Sequence, residues 1–332
     1  MTILPTIAIG ALGGTIAMVE GKTTGIEPQL SAQMLVKSVP ELSGCAKIHA
    51  ETLAKLPSCS LTFAELFAAL AWARTQLDNG ASGVVLTQGT DTLEETSFFL
   101  SLYWDRQEPL VVTGAMRPPM AAGADGPANI LSSVIVAKDK NSKNRGVLVV
   151  MNDEIHSPYW VRKSHSLKVE TFQSGFVGSL GTIVENRPVF FSSSQILPNP
   201  VERPKTFEKK VALVEMCLSS GHDHLKLIFE SGLYHGVVIA GFGTGHVSFS
   251  EAEVISTHAD KIPIIVASRA YNGTTTCRTY GYRGAEIDLI KNGVIMAGWL
   301  SPLKARLLLW ALLAAGDNRT QIVQKWHHWQ IC

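Results

Sequence analysis

The amino-acid sequence predicts an α/β protein, with mostly parallel sheets and flanking helices arranged as a larger N-terminal domain and a smaller C-terminal domain. Three observations carry that expectation. Short apolar runs rich in β-branched residues recur along the chain, each followed by helical periodicity, the pattern of parallel strands joined by crossover helices. The 332 residues suffice for about two domains. From about residue 192 to 210 the alternation lapses into a segment with Pro198, Pro200 and Pro204 and few apolar residues, then resumes. Residues 1–192 are therefore expected to form the first domain, 193–210 a linker and 211–332 the second domain.

In the first domain, strands are expected at 6–11, 83–87, 109–115 and 146–152. Helices are expected at 63–77, 93–104 and 128–138. Ser60 or Thr62 suits the start of the first helix. Thr92 followed by Glu95 has capping-box spacing for the second, and Asp125 suits the cap of the third. In the second domain, strands are expected at 211–216, 236–242, 262–269 and 293–298. Ser301-Pro302 opens a helix carrying Lys304 and the apolar run to Ala315, with proline at the first helical position. That helix reads as buried and structural.

Composition excludes several classes. Hydrophobic residues are 46% and charged residues 17%, a well-buried globular balance. Lysine plus arginine total 29 against 28 acidic residues, so no field draws in nucleic acid or a membrane surface. The apolar run 307–315 is too short to span a bilayer. The chain begins Met1-Thr2-Ile3-Leu4-Pro5, without a basic segment before an apolar one, so the cytoplasm is the simplest expectation. A chain whose signal peptide had been removed would read the same way, which leaves the periplasm as the other compartment. Cys45, Cys59, Cys217, Cys277 and Cys332 form no C-x-x-C pair and suggest neither a disulfide framework nor a zinc site. His222-Asp223-His224 and His327-His328 lack an evident third ligand, and no metal is expected.

The chemistry-bearing residues sit where strands give way to helices. After the 83–87 strand come Gln88-Gly89-Thr90-Asp91-Thr92, at a strand's carboxyl end and a helix's amino end. Ligands bind at such corners in open α/β sheets, and threonine and aspartate also simply cap helices there. The first strand runs into Gly13-Gly14-Thr15. The dinucleotide pattern G-x-G-x-x-G fails at Leu12, and a phosphate loop before Gly21-Lys22-Thr23 fails at Ile16. What remains is a glycine pair followed by a hydroxyl, either a close backbone approach to a ligand or a tight turn. Ser58 and Cys59 precede the 63–77 helix, and Ala115 lies at the next strand-to-helix corner. Lys163 follows the 146–152 strand and its polar loop; from position alone it reads as surface charge. No G-x-S-x-G elbow and no H-E-x-x-H is present. A hydroxyl nucleophile here needs a lysine or carboxylate system for activation.

Taken together, Gly13-Gly14-Thr15-Ile16-Ala17, Gly89-Thr90-Asp91-Thr92, Gly114-Ala115-Met116-Arg117-Pro118, Ala124-Asp125-Gly126-Pro127, Met151-Asn152-Asp153 and Lys304-Ala305-Arg306 resemble the motifs of the bacterial-type L-asparaginase and glutaminase-asparaginase family, in order and across nearly the whole chain. The resemblance implies hydrolysis of L-asparagine to L-aspartate and ammonia through a threonine nucleophile and a covalent acyl-enzyme. Thr15 is implied as nucleophile, with Thr90, Asp91 and Lys163 as a proton-relay group. Ser58, Cys59, Gly89, Thr90, Asp91 and Ala115 are implied around a small amino-acid substrate. It implies no metal or organic cofactor, and a homotetramer built as a dimer of dimers.

Four positions depart from the family pattern. Gln88 stands where histidine is usual, Cys59 where glutamine is common, and His246 where asparagine is common. A loop tyrosine that commonly assists the nucleophile is missing between Thr15 and Pro40; Thr23, Thr24, Tyr280 or Tyr282 are the candidate substitutes, or the Lys163 group activates Thr15 itself. A glutaminase-asparaginase of mixed specificity and a non-catalytic aspartate or asparagine binder are the alternatives. A relative that deamidates glutamine for tRNA amidation needs a further domain and a basic surface.

Overall fold

The structure is a computed structural model describing residues 4–20, 26–192, 201–219 and 221–328. The expected linker falls partly outside the described residues, at 193–200, as do Gly21-Lys22-Thr23 and Thr24. The chain divides into two compact units, Met1–Ile196 and Leu197–Cys332.

In the first unit the strands are β1 (Thr6–Gly13), β2 (Met18–Glu20), β3 (Ile26–Pro28), β4 (Lys47–Leu56), β5 (Gly83–Thr87), β6 (Leu110–Thr113), β7 (Val147–Met151), β8 (Glu154–His156), β9 (Arg162–Lys163), β10 (Phe172–Gln173), β11 (Gly181–Val184) and β12 (Arg187–Phe190). Eight of them form one sheet in the order β12-β11-β8-β7-β6-β5-β1-β4. Strands β4, β1, β5, β6 and β7 run parallel. Their chain order places β1 between a later strand on one side and a still later one on the other. This reversal of winding is the topological switch point, where ligands bind outside the carboxyl ends of open α/β sheets.

Continuous apolar character explains the inner strands: every residue of β5, β6 and β7 is buried. Ile7, Ile9, Val85, Val111, Leu148 and Val150 pack into one core with Ile130 and Val134 of the helix Gly126–Lys138. The helix Phe63–Asp78 covers β1 and β5. Thr62, one of the two expected caps, caps it, with Glu65 completing a capping box.

Two corrections concern the sheet. β4 was not among the expected strands; its residues are exposed or half-buried, none fully buried, along the sheet edge. The polar stretch after β7 is a tight hairpin rather than an open loop. Asn152 and Asp153 both have positive φ, 51° and 59°, and join β7 to antiparallel β8, the type I′ geometry that asparagine and aspartate tolerate. Glu185 and Asn186 repeat this between β11 and β12, with φ of 49° and 59°.

In the second unit β13 (Val211–Glu215), β14 (Gly236–Gly241), β15 (Ile264–Ser268) and β16 (Ile295–Met296) form a parallel four-stranded sheet in sequence order. The helix Pro302–Ala315 packs on β13, β14 and β15, with Ser301 accepting from Lys304 N and Lys304 buried. Both units thus carry the α/β architecture of mostly parallel sheets and flanking helices. Among the described residues no helix is long and apolar enough to cross a membrane.

Candidate active site

The corner after β1 is built on two glycines, where any side chain would strain the backbone. Gly13 and Gly14 have φ of 110° and 82°, conformations that side chains resist. A Cβ on Gly14 would lie 1.9 Å from Gly89 N and 2.1 Å from its Cα. The corner after β1 is therefore packed, backbone to backbone, on the corner after β5. Thr15, half-buried, opens the 3₁₀ turn Thr15–Ala17 directly beyond this contact.

The corner after β5 is a 3₁₀ turn, Thr90–Thr92, running into the helix Leu93–Ser101. The expected capping box does not form: Thr92 makes no side-chain cap. Its Oγ1 instead donates to the Ser58 carbonyl at 3.0 Å. The tertiary partner displaces the local one, and the bond ties the β5 corner to the turn Ser58–Ser60 after β4. Ser58 is 2% exposed, and its Oγ has no hydrogen-bond partner. That hydroxyl lies 2.8 Å from where a Gly89 Cβ would sit. Its neighbour Cys59 is an exposed free thiol. Gln88 is fully buried; its Nε2 donates to Gly89 O at 3.1 Å, while Oε1 is unpartnered. A buried hydroxyl without a protein partner is costly in a folded protein unless water or a ligand completes it.

The corner after β6 joins the same cluster. A Cβ on Gly114 would meet Gln88 O at 2.6 Å and Thr90 Cγ2 at 3.2 Å. Asp125 is a second displaced cap. Its carboxylate accepts from Met116 N at 2.9 Å and Arg117 N at 2.8 Å rather than from the backbone amides of its own helix. Asn129 donates to Gly114 O at 3.0 Å and to Asp125 Oδ2 at 3.1 Å. Fully buried Ala115 is thus held by a carboxylate and an amide behind it.

Lys163 leaves the surface reading that its position suggests. Its Nζ donates to Thr90 Oγ1 at 2.9 Å and to Asp91 Oδ1 at 2.7 Å, with the lysine side chain 16% exposed. Hydroxyl, carboxylate and the lysine nitrogen thus form one hydrogen-bonded group at the β5 corner. Such a group can move a proton to or from a reacting atom. Sequence reading gave no role to Glu94, whose Oε2 accepts from Lys163 N at 2.6 Å.

The remaining candidates lie in the second unit. His246 Nδ1 is 2.7 Å from Tyr282 Oη, and its Nε2 is 3.3 Å from Glu286 Oε2. Burial pushes the Glu286 carboxyl up, but the amides of Tyr280 and Thr279 and the Thr276 hydroxyl outweigh it and hold it below the usual carboxylate range. His222 opens the helix His222–Glu230 and pairs with Asp223 at 2.9 Å. Among the described residues no three histidine, cysteine, aspartate or glutamate side chains gather as a metal site.

Fold and site together define a two-unit α/β protein with threonines at a switch point, one of them bonded to a lysine. Residues 6–196 match the asparaginase N-terminal domain and residues 210–325 the glutaminase/asparaginase C-terminal domain. The chain belongs to the asparaginase family. It is 37% identical over 316 residues to a probable periplasmic L-asparaginase of Haemophilus influenzae, covering 92% of this chain and 88% of that one. It is 34% identical over 330 residues to L-asparaginase 2 of Escherichia coli, covering 97% and 92%. The crystal structure of a probable cytoplasmic L-asparaginase from Campylobacter jejuni superposes with a TM-score of 0.87 at 31% identity, covering 98% of this chain and 99% of that one.

Proposed function

We propose that this protein hydrolyses L-asparagine to L-aspartate and ammonia. Thr15 Oγ1 gives its proton to the relay group and attacks the side-chain amide carbon; the C–N bond breaks, and the nitrogen takes that proton and leaves as ammonia. Water then attacks the resulting threonine ester, releasing aspartate and restoring the Thr15 hydroxyl. Thr90, Asp91 and Lys163 move the protons. Ser58, Cys59, Gly89, Thr90, Asp91 and Ala115 surround the substrate, and backbone amides near Thr90 and Ala115 face the developing oxyanion. The observation that carries this reading is Lys163 bonded to both Thr90 and Asp91, on a corner packed against the one that bears Thr15.

In this account residues 1–192 form the domain with most catalytic residues, 193–210 link the domains, and 211–332 form the second. The working assembly is a homotetramer, and the compartment the cytoplasm, with the periplasm as the alternative because relatives' names include both. Ammonia release from L-asparagine tests the proposal. The wild type releases ammonia and Thr15→Ala does not; no release above that control overturns it.

A second reading is mixed asparaginase and glutaminase activity, because Cys59 stands beside Ser58 where the family commonly carries a substrate-contacting glutamine. Steady-state comparison of asparagine and glutamine separates the two. Binding of aspartate without any turnover selects instead a non-catalytic binder.

A further inference from the structure

Lys163 stands on a weak support for a residue with an exacting task. Strand β9 comprises only Arg162–Lys163 and pairs with β10 in a two-stranded ribbon separate from the eight-stranded sheet. Register in the main sheet therefore does not determine where Lys163 lies. Its side chain is a flexible four-carbon stem, carrying about 2 kcal/mol of rotamer entropy.

Glu94 supplies the missing anchor. It sits in the first turn of the helix Leu93–Ser101 and is 7% exposed. Thr90 and Asp91 lie in the 3₁₀ turn that runs directly into this helix, so the three residues belong to one continuous stretch. This stretch grips Lys163 at both ends. Glu94 Oε2 takes the main-chain N–H at 2.6 Å, while Thr90 Oγ1 and Asp91 Oδ1 take the ammonium at 2.9 and 2.7 Å. A short amide-to-carboxylate bond is charge-assisted and stronger than a neutral one. Pinning the main chain limits where the ammonium reaches, and displacing a reacting group by about 1 Å costs on the order of a hundredfold in rate.

We propose that Glu94 is a positioning residue that sets the Lys163 ammonium against Thr90 and Asp91 by holding the Lys163 main chain. The proposal rests on the reading of Lys163 as part of an amidohydrolase site. Glu94 itself touches no substrate; it acts through Lys163.

The test compares Glu94→Ala, Glu94→Gln, Lys163→Met and the double variant Glu94→Ala/Lys163→Met. With L-asparagine, Glu94→Ala lowers kcat by about tenfold or more while KM stays within about threefold. Glu94→Gln, whose amide oxygen still accepts the bond, keeps most of the wild-type kcat. On the Lys163→Met background, Glu94→Ala adds no further loss, because both changes remove one arrangement. Additive losses, or equal losses in the two Glu94 variants, overturn the proposal. A second readout needs no activity: acetic anhydride acetylation of Lys163, followed by mass spectrometry. Lys163 becomes acetylated several-fold faster in Glu94→Ala and at about the wild-type rate in Glu94→Gln, with Lys138 unchanged. An unchanged Lys163 rate in Glu94→Ala overturns the role of Glu94. If the wild type hydrolyses no asparagine, the functional reading fails, and acetylation alone decides Glu94.

Discussion

Gly14 lies backbone to backbone against Gly89, so close that a Cβ on the first would fall 1.9 Å from the nitrogen of the second. Gly14 also has φ 82° and ψ −176°, a region open essentially to glycine. The contact joins the Thr15 corner to the Thr90–Asp91 corner without an intervening side chain. Gly14→Ala is expected to lose about 3 kcal/mol or more of stability, from backbone strain and a forced separation of the corners. Asparagine hydrolysis falls with it. Denaturant unfolding and ammonia release measure the two effects, and a variant of wild-type stability contradicts the packing described.

Lys163→Met separates chemistry from folding. The lysine pairs with an Asp91 side chain that is 67% exposed, and ion pairs of that kind contribute roughly 0–1 kcal/mol. Thermal unfolding should therefore change little, while kcat falls by about a hundredfold or more with the proton relay removed. Near-wild-type turnover would return Lys163 to an ordinary surface cation.

Thr92→Val removes the bond from Oγ1 to the Ser58 carbonyl and keeps the side-chain shape. The loss is about 1 kcal/mol of stability. Because the Ser58 turn is then less well held, KM for asparagine rises several-fold and kcat changes less. Steady-state kinetics check this, and an unchanged KM argues against Ser58 as a substrate contact.

Glu286 makes a pH-dependent contribution. Backbone amides hold its carboxyl below the usual carboxylate range, so the folded state favours the ionised form. That stability is fully present above the ordinary glutamate pKa of about 4.3 and is lost as pH falls through the lowered folded value. Glu286→Gln should therefore melt below the wild type at neutral pH, with the gap narrowing under acid conditions. Melting curves from neutral to acid pH measure it; a gap that widens on acidification contradicts the sign.

Strands buried on both faces were legible from the sequence because their apolar runs are continuous. β5 occupies the expected residues, 83–87. β4 was not legible, since this edge strand has no fully buried residue and carries Lys47, Glu51 and Lys55. The hairpin at Asn152-Asp153 read as a polar loop, though its two positive-φ residues are what a type I′ turn requires. At the site, the Thr90–Asp91 corner could be read from a strand meeting a helix. Thr92 and Asp125 both had the chemistry of caps, and both are drawn away by tertiary partners. Glu94 could not be linked to Lys163 by any local pattern, because the two are 69 positions apart. Only folding brings the ribbon that carries Lys163 onto that helix.

Thr15 as the attacking residue is the central claim. The measurement that tests it most directly is covalent labelling with an asparagine analogue whose side chain carries a reactive electrophile, followed by peptide mass spectrometry. A single adduct on Thr15 is expected, absent in Thr15→Ala and suppressed by excess aspartate. An adduct on Thr90 instead would contradict it.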